Sequence, residues 1–305
     1  MGKASRTKVE SSRREKIAAQ RAAERRAEQR RRILLVSGCV LVVVAVVVAF
    51  IVIKVNSGPA KSTASSNGPT GAALTSVVNK VTSVPASTLD AVGDGGGAVE
   101  AKPKAISSTP LTSNGKPEVL YMGAEYCPYC AAERWGVIVA LSRFGTISGL
   151  STVHSASVNG AGEAEPYPNT PTWTFVKAHY TSQYFTFTPV EMQTNIPDKS
   201  TGTYTTLQNP TSAQTALITK YGTNGAIPFI DFGGKSVISG ASYDAGVLSG
   251  LSWATIASDL SNPKSSVAKG VLGTANYITA AICQATGNQP ASACTSTVKS
   301  LESQI

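Results

Sequence analysis

The sequence predicts an α/β domain, and three stretches of the chain support this class. Residues 119–122 form a short apolar run typical of a buried strand, and a helical pattern follows over 128–144. A second apolar run, 226–232, ends at two glycines and continues into 236–239, which indicates a hairpin. Strands alternating with helices in this way are typical of a sheet covered by helices.

Excess positive charge is confined to the beginning of the chain. Residues 1–32 hold 12 Lys/Arg and 4 Asp/Glu, so they carry +8 of the total charge of +9. A helix over 12–32 would have charges on every face and no apolar stripe for packing. We expect residues 1–32 to be a basic cytoplasmic tail that contacts anionic lipid headgroups. Binding of a protein partner or of nucleic acid is the alternative. The adjoining membrane segment argues against nucleic acid, so no nucleic-acid partner is expected.

Residues 33–53 are 21 consecutive residues without a charge. As a helix they would span about 31 Å, enough to cross a bilayer. A signal peptide has a shorter apolar region of about 7–15 residues, so we expect an uncleaved anchor. Three arginines precede the segment at 30–32 and Lys54 alone follows it, so the positive-inside rule places 55–305 outside the membrane. We therefore expect a single-pass protein of the cell membrane with an extracytoplasmic C-terminal domain.

Composition divides the rest of the chain into segments. A Ser/Thr/Gly-rich stretch predicts a flexible linker, and short helical patterns beyond it predict an N-terminal extension. The main domain is expected to begin at the first strand and to end in helices. The predicted segments are a linker at 54–72, an extension at 73–115 and a main domain at 116–305, with an insertion at about 160–210 and C-terminal helices at 246–260, 267–285 and 292–301.

Residue patterns predict further elements within the main domain. Alternation predicts one strand over 147–158, and two strands within 172–192 with a turn near 180–183. A short helix is predicted over 212–221, with Thr211 or Ser212 as its cap. Trp135 and Phe144 are expected to be core contacts of the helix that carries the cysteines.

Two cysteines are spaced C-P-Y-C at the predicted start of the helix after the first strand. Cys127 is expected at the helix N-terminus, Pro128 fits the first turn, and Cys130 follows one turn on, so the two sulfurs can meet. The helix dipole favours a thiolate at Cys127 and lowers its pKa from about 8.5. A nucleophilic thiolate beside a resolving thiol is what thiol–disulfide exchange requires.

Metal binding and a permanent crosslink are the other uses of such a pair. A zinc site needs about four ligands. There is no second C-x-x-C, and His154 and His179 show no ligand spacing. A crosslink between Cys127 and Cys130 would close too small a loop to add much stability. We therefore expect redox-active cysteines, with no metal and no cofactor.

The stretch GAEYCPYCAAERW, residues 123–135, resembles the active-site segment of the thioredoxin superfamily, in which glutaredoxins and some periplasmic Dsb-type proteins carry the same C-P-Y-C. It more closely resembles a family of membrane-anchored bacterial and archaeal proteins known only as a domain of unknown function, over about 73–305. The resemblance implies a thioredoxin-like fold with an N-terminal extension, a middle insertion and C-terminal helices, preceded by one transmembrane helix.

The thioredoxin resemblance also implies a substrate-binding surface. Pro228, preceded by Ile227, matches the cis-proline that faces the cysteine pair in that superfamily. The backbone of Ile227 would pair with an incoming substrate strand by β-augmentation. Pro128 and Tyr129, between the cysteines, would complete the contact.

The resemblance does not assign a residue for proton transfer. Thioredoxin has a buried acid six residues before the first cysteine, and Tyr121 occupies that position here. Glu125, two residues before Cys127, is the candidate for proton transfer, or it merely raises the pKa of Cys127 by like charge. The charged contacts expected for glutathione binding cannot be located, so glutathione is not expected.

Three further cysteines lie outside the motif. Cys283 and Cys294, with ten residues between them, are expected to form a structural disulfide, which would add about 3 kcal/mol. A redox relay with the C-P-Y-C pair is the alternative. Cys39 lies in the predicted membrane segment and is expected to be a small apolar residue there.

These observations predict a membrane-anchored extracytoplasmic protein thiol–disulfide oxidoreductase. Cys127 would form a mixed disulfide with a substrate cysteine, and Cys130 would resolve it. The expected partners are exported proteins with cysteines, a membrane or envelope redox partner, and the lipid bilayer. Oxidation, reduction and isomerisation all stay open as the direction of exchange. The alternative is a non-catalytic cell-envelope binding or scaffold protein on a thioredoxin-like fold.

Overall fold

The computed structural model describes residues 68–305. The predicted cytoplasmic tail, the predicted membrane helix over 33–53 and most of the predicted linker lie outside the described residues. Within 68–305, no helix has the length and apolar character needed to cross a membrane. The described chain is a mixed α/β structure built around a mixed sheet, which confirms the predicted α/β class.

Seven α-helices and twelve strands make up residues 68–305. Up to the cysteine-bearing helix they are α1 (Gly71–Thr82), α2 (Ala86–Val92), β1 (Lys104–Ala105), β2 (Thr112–Ser113), β3 (Lys116–Gly123) and α3 (Pro128–Ser142). The middle of the chain forms β4 (Gly145–Ser148), β5 (Ser151–His154), β6 (Pro171–Thr174), β7 (His179–Ser182), β8 (Thr186–Glu191), β9 (Gln193–Asp198), β10 (Thr203–Thr206) and α4 (Ser212–Tyr221). The C-terminal part forms β11 (Phe229–Phe232), β12 (Ser236–Ser239), a 3-10 turn (Ala245–Leu248), α5 (Trp253–Asp259), α6 (Ser266–Ala285) and α7 (Ser296–Glu302).

Strand β3 lies at the centre of the six-stranded sheet. On one side it pairs with β8 in parallel over Glu118 to Gly123. Its first two residues, Lys116 and Pro117, also pair antiparallel with β2. On the other side β11 pairs with β3 antiparallel, followed by β12 and then β1. Glycines 233 and 234, both at positive φ, make the tight turn of the β11–β12 hairpin, as their sequence predicts.

Both faces of β3 are buried, which explains its continuous apolar run. Val119 and Tyr121 face the larger core, which α3 and α6 cover. Leu120 and Met122 face a smaller core, which includes Ile218 of α4. Helices therefore cover the sheet on both sides, and β3 ends between them at the cysteine motif.

Helix α3 is buried around nearly its whole circumference, with 13 of its 15 residues buried. Such a helix lies inside a core, and here the sheet is on one side and α6 on the other. Gly136 allows the close approach of α3 and α6, because a Cβ at this position would lie 2.9 Å from Thr274 Cγ2 and 3.2 Å from Val271 O. The predicted core contacts Trp135 and Phe144 are buried as well.

Several predicted element boundaries are wrong. The aromatic, β-branched stretch 172–192 was predicted as two strands with a turn near 180–183, but it lies across three strands, β6, β7 and β8. Residues 147–158 were predicted as one strand, yet Gly149, at φ +70°, separates β4 from β5. Residues 246–260 were predicted as one helix, yet Gly250, at φ +72°, separates the 3-10 turn from α5. Glycine at positive φ ends a regular element even where the apolar pattern continues.

The segment 160–210, predicted as an insertion, contributes to the central sheet. Its strand β8 pairs with β3 from Glu118 to Gly123. The hairpin of β9 and β10 lies outside that sheet. Strands β6 and β7 also lie outside it, pairing with β5 and β4 respectively. This segment therefore provides both a sheet strand and additional structure around the site.

Replacement of Gly136 by valine tests the contact between α3 and α6. Valine favours a helix more than glycine does. We nevertheless expect Gly136→Val to lower the free energy of unfolding by about 1–3 kcal/mol, because the new side chain overpacks the core. Urea unfolding followed by circular dichroism measures this loss. Ala254→Val, on an exposed position of α5, is the control and should cost no more than about 0.7 kcal/mol. Equal effects of the two variants would contradict the close approach.

Candidate functional site

The two motif cysteines lie at the beginning of α3, directly after β3 and a three-residue turn. Cys127 is the N-cap residue, and its Sγ accepts the Cys130 backbone N–H at 3.2 Å. Pro128 takes the first helical position, where a backbone N–H would have no helical partner. Both cysteines are free thiols in the structure.

The two sulfurs differ in access. Cys127 is 4% exposed and Cys130 is 0% exposed. Pro128 is buried, whereas Tyr129 is 40% exposed and packs edge-on against Tyr167, with 6.2 Å between the ring centroids. Cys127 is therefore the sulfur nearer the surface, and Tyr129 projects beside it.

The segment before β11 faces the cysteine pair. The Cys127 thiol donates to the carbonyl oxygen of Ile227 at 3.9 Å. Ile227 is half-buried and packs against the cluster formed by Ala124, Cys127 and Cys130. The Ile227–Pro228 peptide bond is cis. Two stretches a hundred residues apart in the chain thus meet at Cys127.

The surroundings shift the pKa values of the two thiols in opposite directions. Burial raises the pKa of Cys127, but hydrogen bonds from the Cys130 thiol and backbone, together with the charge of Arg134, outweigh burial and lower the pKa overall. Burial is also the largest effect on Cys130, where the hydrogen bond and charge of Cys127 add to it and raise the pKa well above its usual range. Cys127 is thus the thiol that ionises first.

A buried ion pair beneath the cysteines escaped the sequence interpretation. Arg134 Nε and Nη2 donate to the two carboxylate oxygens of Glu191 at 2.9 and 2.6 Å, and both side chains are completely buried. Arg134 Nη2 also donates to the carbonyl oxygen of Ala124 at 2.8 Å. Arg134 could have been found from its position one helical turn after Cys130. Glu191, on a strand 57 residues away, carries no comparable signal.

Tyr121 and Glu125 line the same buried region. Tyr121 is 0% exposed, and burial raises its pKa well above its usual range. Burial also raises the pKa of Glu125, opposed by hydrogen bonds from the Thr174 hydroxyl and the Asn195 backbone. Glu125 is therefore held by its own partners next to the motif, and its predicted part in proton transfer stays a prediction.

A tyrosine pair forms the outer wall of the site. The ring of Tyr126 stacks on Tyr204 of β10, with 4.1 Å between the centroids. The Tyr204 hydroxyl donates to Glu165 Oε1 at 2.5 Å. The segment 160–210 thus supplies side chains close to the cysteines, which the sequence did not indicate.

Glu133, adjacent to Arg134, points to a different partner. Its two carboxylate oxygens accept the backbone N–H and the hydroxyl of Ser242, each at 2.9 Å. Burial, only partly offset by these two hydrogen bonds, raises the pKa of Glu133 to about 7. This contact ties α3 to the chain after β12, away from the cysteines.

The other predicted residues lie apart from the motif. Cys283 and Cys294 are joined by a disulfide that connects α6 to the loop before α7. His154 packs against Trp253, and His179 belongs to β7. Residues 68–305 contain no cluster of three or more His, Cys, Asp or Glu side chains that could hold a metal ion.

Fold and site together define an α/β protein with a buried, free C-P-Y-C dithiol at a helix N-terminus. The chain belongs to the family described as a domain of unknown function (DUF929), whose model matches residues 102–284. This confirms the predicted membership in a family without an assigned activity. No curated protein and no solved structure matches the chain.

The raised pKa of Glu133 predicts a pH dependence of stability. The folded protein keeps this proton up to about pH 7, whereas an ordinary carboxyl loses it near 4.5. The stabilisation is therefore complete below the lower value and is lost as the pH rises through the upper one. Relative to Glu133→Gln, the wild type should lose up to about 1.4 kcal/mol per pH unit between these values.

Urea unfolding at several pH values across this interval measures the effect. Buried Asp231, whose pKa burial raises to about 6, is present in both proteins and cancels in the comparison. Glu100→Gln, at an exposed carboxyl, is the control and should track the wild type at every pH. A difference between wild type and Glu133→Gln that does not change with pH would contradict the prediction.

Proposed function

We propose that this protein is a membrane-anchored, extracytoplasmic thiol–disulfide oxidoreductase with a thioredoxin-like domain. The observation that carries the proposal is the state of Cys127. Its sulfur accepts a backbone N–H at the start of α3, and its pKa is lowered while that of Cys130 is raised. A stabilised thiolate beside a protonated resolving thiol is the arrangement that exchange chemistry needs.

The exchange proceeds in two displacements. The Cys127 thiolate attacks a substrate disulfide, forms a mixed disulfide and releases one substrate sulfur as a thiolate. Cys130 then loses its proton and attacks Cys127 Sγ, which releases the second substrate sulfur and leaves a Cys127–Cys130 disulfide. The substrate gains the two electrons that the cysteine pair loses. The reverse sequence transfers a disulfide to the substrate.

The sheet supports the thioredoxin-like part of the proposal. The strand before the cysteines, β3, has a parallel neighbour, β8, on one side and the antiparallel β11–β12 hairpin on the other. Helices α3 and α6 pack on one face, and α4 packs on the other. This arrangement of strands and helices supports a thioredoxin-like fold.

Substrate binding is assigned to the surface around Cys127. The Ile227 carbonyl, 3.9 Å from the sulfur, offers an acceptor to an extended peptide, and the exposed ring of Tyr129 offers an apolar contact. The proposed substrates are exported proteins with cysteines, and a membrane or envelope thiol–disulfide partner would restore the pair. The proposed location comes from the charge asymmetry around residues 33–53.

Single cysteine variants test the exchange. The full-length protein is incubated with a test protein that carries scrambled disulfides, and products are separated without reductant. We expect Cys127→Ser to abolish exchange, because the attacking sulfur is gone. Cys130→Ser should accumulate a mixed disulfide through Cys127, because the resolving thiol is missing. Mass spectrometry of the trapped species identifies the linked cysteine.

Cys39→Ser is the matched control, since it removes a thiol outside the motif, and it should exchange like the wild type. A wild-type protein that does not exchange, with a cysteine pair whose potential lies well below about −300 mV, would contradict the proposal. That result would favour the alternative of a non-catalytic binding or scaffold protein of the cell envelope.

A further inference from the structure

The buried ion pair under the cysteines has no part in the displacements written above. Arg134 follows Cys130 by four residues and Cys127 by seven, so all three lie along one face of α3. The guanidinium is completely buried and binds both oxygens of Glu191. A buried charge on the same helix face as two thiols acts on them through a medium of low dielectric constant.

One carbonyl group links Arg134 to the first cysteine. Ala124 O accepts Arg134 Nη2 at 2.8 Å and the backbone N–H of Cys127 at 3.3 Å. The guanidinium is therefore one peptide group away from Cys127. Glu191 is engaged elsewhere as well, because its Oε1 also accepts the backbone N–H of Phe175 at 3.3 Å. The carboxylate is thus held on the side of the guanidinium where β8 and β6 end.

The positive charge is incompletely satisfied. Within residues 68–305, Arg134 Nη1 has no hydrogen-bond partner, and neither has the buried hydroxyl of Tyr121. The Tyr121 ring centroid lies 5.8 Å from the guanidinium carbon. A buried cation with an unpaired donor is strongly stabilised by an anion that forms next to it.

Titratable groups surround Cys127 from each neighbouring element, and Arg134 is the cation of this set. The others are acids, so their charged forms disfavour a thiolate. They are Cys130 on α3, Tyr121 on β3, Glu125 and Tyr126 in the turn, Glu191 on β8, and Tyr204 on β10 with its acceptor Glu165. Among residues 68–305, Arg134 is therefore the group whose charge favours the ionised thiol.

We propose that Arg134, held by Ala124 O and Glu191, is a positioning residue that stabilises the Cys127 thiolate and makes the cysteine pair a disulfide donor. This inference rests on the proposed function and adds the direction in which the cysteine pair exchanges disulfides. The guanidinium stabilises a thiolate in the reduced protein but gains nothing comparable from the uncharged disulfide. Stabilising the reduced form makes the pair more oxidising.

A single turnover of disulfide donation needs no further oxidant, because the Cys127–Cys130 disulfide accepts both electrons. A substrate thiolate attacks Cys127 Sγ of the Cys127–Cys130 disulfide, and the bond breaks with its electron pair on Cys130 Sγ, which takes a proton. A second substrate thiolate then attacks the substrate sulfur of the mixed disulfide, and Cys127 leaves as a thiolate near Arg134. The substrate dithiol becomes a disulfide and the pair accepts the two electrons.

Two variants with opposite expected effects test the role of Arg134 in the full-length protein. Arg134→Met with Glu191→Leu removes both charges and leaves no unpaired buried ion. Glu191→Gln keeps the cation and removes its neutralising partner. The measurements are the pH midpoint of thiolate absorbance, with the oxidised protein as baseline, and the redox equilibrium with glutathione.

The double variant should raise the thiolate midpoint by about one pH unit. It should also shift the glutathione equilibrium toward the disulfide form about tenfold, which is about 30 mV for two electrons. Glu191→Gln should shift both quantities the opposite way. A purely structural role would lower stability in both variants without this reversal of sign.

Glu133→Gln is the matched control, because it removes the neighbouring buried carboxyl of the same helix, which binds Ser242 instead. Its equilibrium constant with glutathione should stay within about twofold of the wild-type value. Shifts of the same sign in the two test variants, or no shift beyond the control, would overturn the inference. If the double variant does not fold, an unchanged or raised midpoint in Glu191→Gln still overturns the inference.

Failure of the proposed function gives a different result. A wild type that does not exchange with the test protein refutes the oxidoreductase, whereas the thiolate titration still reports on Arg134. A wild type that exchanges, combined with variants that leave the midpoint unchanged, refutes the inference and leaves the oxidoreductase standing.

Discussion

The position of the cysteine motif depends on one buried contact, the ion pair between Arg134 and Glu191. It connects α3 to the end of β8 and, through Ala124 O, to the turn that carries Cys127. Two charges buried together are costly to separate, since removal of either leaves an unpaired ion in the core. The pair therefore fixes how α3 lies on the sheet while it places a positive charge near the thiols.

The rest of the domain keeps this helix away from water. The sheet covers one side of α3 and α6 the other, and Gly136 lets α3 and α6 approach closely. Ser242 binds Glu133, the buried carboxyl next to Arg134 on α3. At its N-terminus the helix approaches the surface, where Tyr129 is exposed and Cys127 is nearly covered. Burial makes the charges around the thiols effective, because water no longer screens them.

Local sequence patterns predicted the strands and helices that have clear apolar runs or turn residues. They failed where a glycine interrupts an element within a continuous pattern. The strand before Cys127, the helix after it and the β11–β12 hairpin follow from apolar runs and turn residues. Thr211 was a candidate cap of α4, and it forms a capping box with Gln214. The breaks at Gly149 and Gly250 were missed, because an apolar pattern does not show the backbone angle of a glycine. The pairing of β8, within 160–210, with β3 is a long-range contact, which local patterns do not show.

The sequence alone determined the chemistry of the motif. C-P-Y-C after an apolar strand requires two thiols one helical turn apart, because helix geometry is local. Tertiary structure decided what surrounds those thiols. Glu191 and Ile227 come from distant parts of the chain, and the sequence itself does not show that a carboxylate on β8 meets Arg134. Long-range packing sets burial and charge, and these quantities decide which cysteine ionises and how strongly its thiolate is stabilised.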